Sequence, residues 1–123
     1  MHNIKKVFFA AIVLLTVVLL FTIVDYLIHG LEGAWSVPDY YFRNKIPAAF
    51  LLGIAGLFFA GKFQSIWLKA MTMAGVISVL LQTRYFITGY PLSFVLVFLL
   101  IHFVILYFLS AGMFLIFKKY NAN

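Results

Sequence analysis

From Val7 to Ile28 the chain runs for 22 residues in which Thr16 and Thr22 are the only polar side chains ahead of Asp25. At roughly 1.5 Å per helical residue, such a run crosses a hydrocarbon core of about 30 Å. Inside a bilayer every backbone N–H and C=O must find its partner within the protein, so the run is expected to be a helix. The preceding MHNIKK gives the segment the outline of a secretory signal. Its length exceeds the apolar part of a signal, however, and Asp25-Tyr-Leu-Ile-His29 lacks the small residues of a cleavage site, so a retained helix is expected.

Three more spans follow, Ile46 to Gly61, Ile66 to Tyr85 and Leu92 to Phe117. The second is short and the fourth long, which predicts flank extension in one and tilt in the other. Of the 123 residues 66% are hydrophobic and 10% charged, more apolar surface than a soluble domain of this size can hide. The expected architecture is therefore an all-α integral membrane four-helix bundle, forming one transmembrane domain over residues 1–123. There are no cysteines, which excludes disulfides, thiolate metal ligands and a cysteine nucleophile.

An even number of spans places both termini on one side, and the charges choose the side. Lys5, Lys6, Lys62, Lys69, Lys118 and Lys119 belong to the terminal face, whereas the other two loops carry Arg43, Lys45 and Arg84. The positive-inside bias then makes both termini cytoplasmic. A multi-pass protein of a prokaryotic inner membrane is the expected setting, with the bilayer as its main partner. The net charge of +6 is spread over segment ends, so no nucleic-acid footprint is expected. Trp35, Tyr40, Tyr41, Tyr85 and Tyr90 suit an outer aromatic belt. In the first loop, SVPDYYFRNK predicts a short interfacial helix from Val37 to about Asn44, with Ser36 and Asp39 as a capping box and Pro47 opening the second span.

Small residues mark the packing faces. Ala49, Gly53, Gly56 and Ala60 share one face of the second span, and Ala70, Ala74, Ser78 and Gln82 share one face of the third. The two stripes are expected to meet within the bundle; a homo-oligomer or another membrane protein is the alternative occupant.

The polar residues raise the question of function. Asp25 and His29 lie on one helix face at i, i+4, and Glu32 joins them if the helix persists past Gly30. Depth counted along the helices assigns Asp25, His29, Gln82 and Arg84 to an outer polar layer and Thr22, Ser78 and His102 to a deeper one. Three readings follow. In the first, Asp25 pairs with Arg84, His29 bonds a carbonyl or Glu32, and His102 is held by Ser78 or a carbonyl; the chain is then structural or accessory. In the second, Asp25, His29 and His102 pass protons in a proton-coupled transporter or channel for a small molecule or ion. In the third, Asp25, His29, Glu32 and Asp39 hold zinc in a membrane hydrolase, with His102 too deep to join. The structural reading leads, and no enzyme activity, metal or cofactor is expected: HExxH, paired histidines, phosphate loops and nucleophile elbows are all missing from the sequence.

DYLIHG, closing a first span and followed by an aromatic loop, resembles a group of small uncharacterised prokaryotic four-span proteins with an Asp-x-x-x-His-Gly turn. The similarity covers about the first 45 residues. It implies a four-span fold and assigns no role to Asp25 or His29. In length and span count the chain is also similar to the small multidrug-resistance transporters, which carry a glutamate in the middle of the first span; here that region is apolar.

Overall fold

The computed structural model describes residues 2–122. Four helices follow one another: α1 (His2–His29), α2 (Tyr40–Ala60), α3 (Ile66–Thr88) and α4 (Leu92–Ala122), with a 3-10 turn at Gly33–Trp35 between the first two. All four are long and apolar enough to cross a membrane. Each packs on its neighbour in chain order and α4 closes back on α1, giving an antiparallel ring. One end, the loop end, carries the α1–α2 and α3–α4 connections; the other carries both termini and the α2–α3 connection.

Hydrophobicity hardly distinguishes the inner from the outer faces, because lipid and core are equally apolar; small and polar residues mark the inside instead. The buried stripe of α1 is Leu14, Val17, Val18, Phe21, Thr22, Asp25 and His29, at helical spacing. In α2 it includes Tyr41, Lys45, Ala49, Gly53, Gly56 and Ala60, and in α3 Ala70, Ala74, Ser78 and Gln82. The α2 stripe serves two partners. A Cβ on Gly53 would stand 2.7 Å from Leu14 Cδ1 of α1, and one on Gly56 would stand 2.6 Å from Met73 Sδ of α3. Large outward residues such as Phe58, Phe86, Ile87 and Leu100 remain exposed, as a lipid-facing surface requires.

The loop end departs from the sequence expectation. No separate helix covers Val37 to Asn44; instead Tyr40 opens α2, which continues through Pro47. Proline removes one N–H, the one that would reach the Arg43 carbonyl, and its ring lies on the exposed side where it clashes with nothing packed. Transmembrane helices tolerate this loss. The expected capping box does not form either: Asp39 makes no side-chain cap bond, and the first turn is closed by Tyr41 N–H to Pro38 O at 3.0 Å and Phe42 N–H to Asp39 O at 3.1 Å. The third and fourth helices start where expected, at Ile66 and Leu92, and α2 ends one residue short of Gly61. Both ends of α1 and the C-terminal ends of α3 and α4 extend past the predicted spans, since hydropathy marks the lipid-soluble stretch and not the last helical hydrogen bond.

Gly89 ends α3 in the left-handed region at φ +98°. Tyr90 N–H reaches Tyr85 O at 3.1 Å and Gly89 N–H reaches Phe86 O at 3.2 Å, a Schellman closure that brings the Tyr85 and Tyr90 rings edge to face at 5.4 Å. The turn thereby holds Tyr85 at the loop end, facing the interior.

Candidate functional site: a buried carboxylate shared by three helices

Asp25 is fully buried and sits at the centre of a polar cluster to which all four helices contribute. Its Oδ2 accepts from Lys45 Nζ of α2. Its Oδ1 accepts from His102 Nε2 of α4 at 2.7 Å. His29 Nε2, one turn further along α1, stands 3.3 Å from the same Oδ1. Lys45 also donates to Tyr85 Oη of α3 at 3.0 Å. An isolated carboxylate in such a place would cost several kcal/mol or more; here an ammonium and an imidazole N–H replace its water shell. Phe42 and Tyr85 present their rings 5.3 and 5.4 Å from the ammonium, adding a cation–π contribution.

This arrangement corrects the expected pairing. Arg84 does not reach Asp25: it is exposed, with its guanidinium 4.5 Å from the Tyr41 ring centroid. Its position between Gln82 and Tyr85 turns it away from the buried stripe of α3. Lys45, counted with the first loop on sequence grounds, is the partner instead. The signal lay in the spacing of four from Lys45 to Ala49 to Gly53, which puts the lysine on the small-residue face of α2.

The two polar layers also merge. Counting residues places His102 well below Asp25, yet their side chains touch. Helical side chains lean toward the N-terminus of their own helix. Because α1 and α4 are antiparallel, Asp25 leans away from the loop end and His102 toward it, and the lean closes the gap. Thr22 and Ser78, expected beside His102, instead bond the Val18 and Ala74 carbonyls of their own helices. Gln82 joins α3 to α4 through Nε2 to Val95 O at 2.7 Å, apart from the Asp25 cluster.

Each imidazole has a defined orientation. His29 Nδ1 lies 2.7 Å from the Trp35 carbonyl, which only accepts, so Nδ1 carries a hydrogen. Its ring stacks on Phe98 at 4.0 Å and 2°. In the neutral ring the Nε2 lone pair then faces Oδ1, and a proton arriving there turns that contact into a hydrogen bond. His102 donates through Nε2 to the ionised carboxylate, which leaves its buried Nδ1 as an acceptor without a partner.

Asp25, His29 and His102 present ligand atoms within 4.8 Å of one another. Three ligands are the minimum for a catalytic zinc, but Lys45 already neutralises this carboxylate, and a divalent ion would face that ammonium across one side chain. Glu32 is exposed beyond the helix, which ends at His29, and Asp39 is exposed at the start of α2, so neither joins the cluster. The expected ligand set is thereby corrected: His102 replaces both acids.

A recess of about 330 Å³ opens at the loop end, lined by Tyr26, Leu27, His29, Gly30, Ser36, Val37, Asp39 and Phe42. His29 is the one member of the Asp25 cluster on its wall. Comparison with protein-family profiles, curated proteins and solved structures returned no match.

Proposed function

We propose that this chain is a small multi-pass membrane protein that exchanges protons between its loop-end recess and Asp25, as the proton-handling centre of a proton-coupled transporter. The observation that carries this reading is the position of His29, whose ring lies on the recess wall with Nε2 3.3 Å from Asp25 Oδ1. His29 Nε2 is itself buried, so the ring swings toward the recess to take a proton from its water and then returns. The N–H bond breaks as Oδ1–H forms, leaving a neutral acid and a neutral imidazole. Lys45 thereby loses its counter-ion, the electrostatic change that would drive a rearrangement of α2 against α1. Intramembrane ionisable residues that face one another are the usual material of proton relays. With cytoplasmic termini, as the lysine distribution favours, the recess opens to the outside of a prokaryotic inner membrane.

The test is proton movement in liposomes reconstituted with purified protein and loaded with a pH-sensitive dye. An imposed pH gradient is expected to dissipate several-fold faster than in empty liposomes, and His29→Gln and Asp25→Asn are each expected to remove the excess. Equal rates with and without protein sink the proposal.

A second reading has its own support. Asp25 and His102 are both 0% exposed, as a purely structural pin would have them. On that reading the chain is an accessory protein, and Asp25→Asn lowers its melting temperature while the wild type moves no protons.

A further inference from the structure

A second pocket, between α2 and α3, lies on the far side of Lys45 from Asp25. It is small and partly open, about 130 Å³, and is lined by Tyr41, Lys45, Leu52, Leu80, Arg84 and Tyr85 among others. We propose that this pocket binds the carboxylate head of a single-chain, membrane-dissolved amphiphile, a long-chain fatty acid, with its chain leaving between α2 and α3 into the bilayer.

Charge is the first argument. Two cations line the pocket and one carboxylate, Asp25, stands near them; among the described residues Arg84 makes no ion pair. Lys45 uses two of its three N–H groups, on Asp25 and Tyr85, and the third has no protein acceptor. One positive charge is thus left over, and it suits a monoanion. Stacking on Tyr41 at 4.5 Å positions the Arg84 guanidinium and leaves its N–H edges free for the bidentate contact a carboxylate accepts.

Shape is the second argument. The cations lie toward the loop end, while Leu52 is about two turns deeper on α2 and Leu80 about one turn deeper on α3. Polar head near the interface and apolar wall toward the midplane is the orientation of a bilayer amphiphile. Leu80 is half exposed, so the apolar end opens sideways to lipid. A pocket this small is well below the roughly 300 Å³ of a site that encloses a whole ligand, so it takes only the end of a molecule. A diacyl phospholipid brings two ester-linked chains to its head and does not fit. This inference does not depend on proton transfer at Asp25.

The experiment measures thermal stabilisation of the delipidated, detergent-solubilised protein by palmitate, hexadecanol, acetate and dioleoyl phosphatidylglycerol. Palmitate is expected to raise the melting temperature saturably, with at least tenfold lower half-saturating concentration than any of the other three. Arg84→Gln is expected to melt like the wild type without ligand and to weaken palmitate at least tenfold. Leu80→Trp, which fills the pocket and keeps both cations, is expected to do the same. If hexadecanol matches palmitate, the contact is apolar adsorption and the proposal falls; if phosphatidylglycerol matches it, the occupant is a phospholipid head and the proposal also falls. Unchanged palmitate affinity in both variants places the ligand elsewhere and overturns it as well.

Discussion

Lys45, in the second turn of α2, closes on the Asp25 carboxylate near the end of α1, 20 residues earlier in the chain, and both side chains are buried. The intervening segment of Gly30 to Asp39 is thus a clasp that returns the chain so that a cation meets the acid at the same depth. One carboxylate then serves Lys45 through Oδ2 and both histidines through Oδ1, which makes the two sides of the group separable by mutation.

Removing only the cation is the harshest test of that clasp. Lys45→Met leaves Asp25 buried without its ammonium and is expected to cost about 3–5 kcal/mol, whereas Asp25→Asn/Lys45→Met together should recover most of it. Equilibrium unfolding of the single and double variants in detergent measures both; a double variant as unstable as Lys45→Met would count against the pair.

Arg84, by contrast, stacks on an aromatic ring at the surface. Arg84→Gln is expected to change stability by less than about 1 kcal/mol, since an exposed charge contributes little. A loss comparable to that of Lys45→Met in the same unfolding assay would show that Arg84, and not Lys45, neutralises the acid.

The hydrogen bonds assign different tautomers to the two buried rings. In protein labelled with ¹⁵N at histidine, neutral His29 is expected to carry its hydrogen on Nδ1 and His102 on Nε2, with His29→Gln and His102→Gln used for assignment. Finding Nε2–H on His29 would contradict the Trp35 carbonyl contact.

Gly53 of α2 faces Leu14 of α1 with no room for a side chain. Gly53→Val drives new carbon into Leu14, with a Cβ already 2.7 Å from Cδ1, and is expected to destabilise the bundle by about 1–3 kcal/mol. Leu14→Ala in the same chain should relieve part of that strain; additive losses in a double-mutant cycle would mean the two residues do not meet.

Much of the bundle was legible in the chain itself. Four apolar runs of membrane-crossing length leave the backbone no alternative to helices, because hydrocarbon offers it no hydrogen-bond partner. Periodicity also placed Asp25 with His29 and put Ala49, Gly53, Gly56 and Ala60 on one face, since those relations are local and follow from 3.6 residues per turn. The continuity of α2 escaped this reasoning because Pro47 read as the start of a span, whereas the helix that opens at Tyr40 runs through it. The partners of Asp25 escaped it too. Residue counting measures Cα depth, but long side chains lean several ångströms along their helices, in opposite senses on antiparallel neighbours, and this brought His102 to the carboxylate. Which cation entered the core depended on helix rotation: Lys45 continues the small-residue face of α2, and Arg84 lies off the buried stripe of α3. The sequence by itself thus determined the four helices and which residues share a face on α1, α2 and α3. Only their packing decided that Asp25 belongs to Lys45 and His102, because that choice depends on how four rigid rods are rotated and offset against one another.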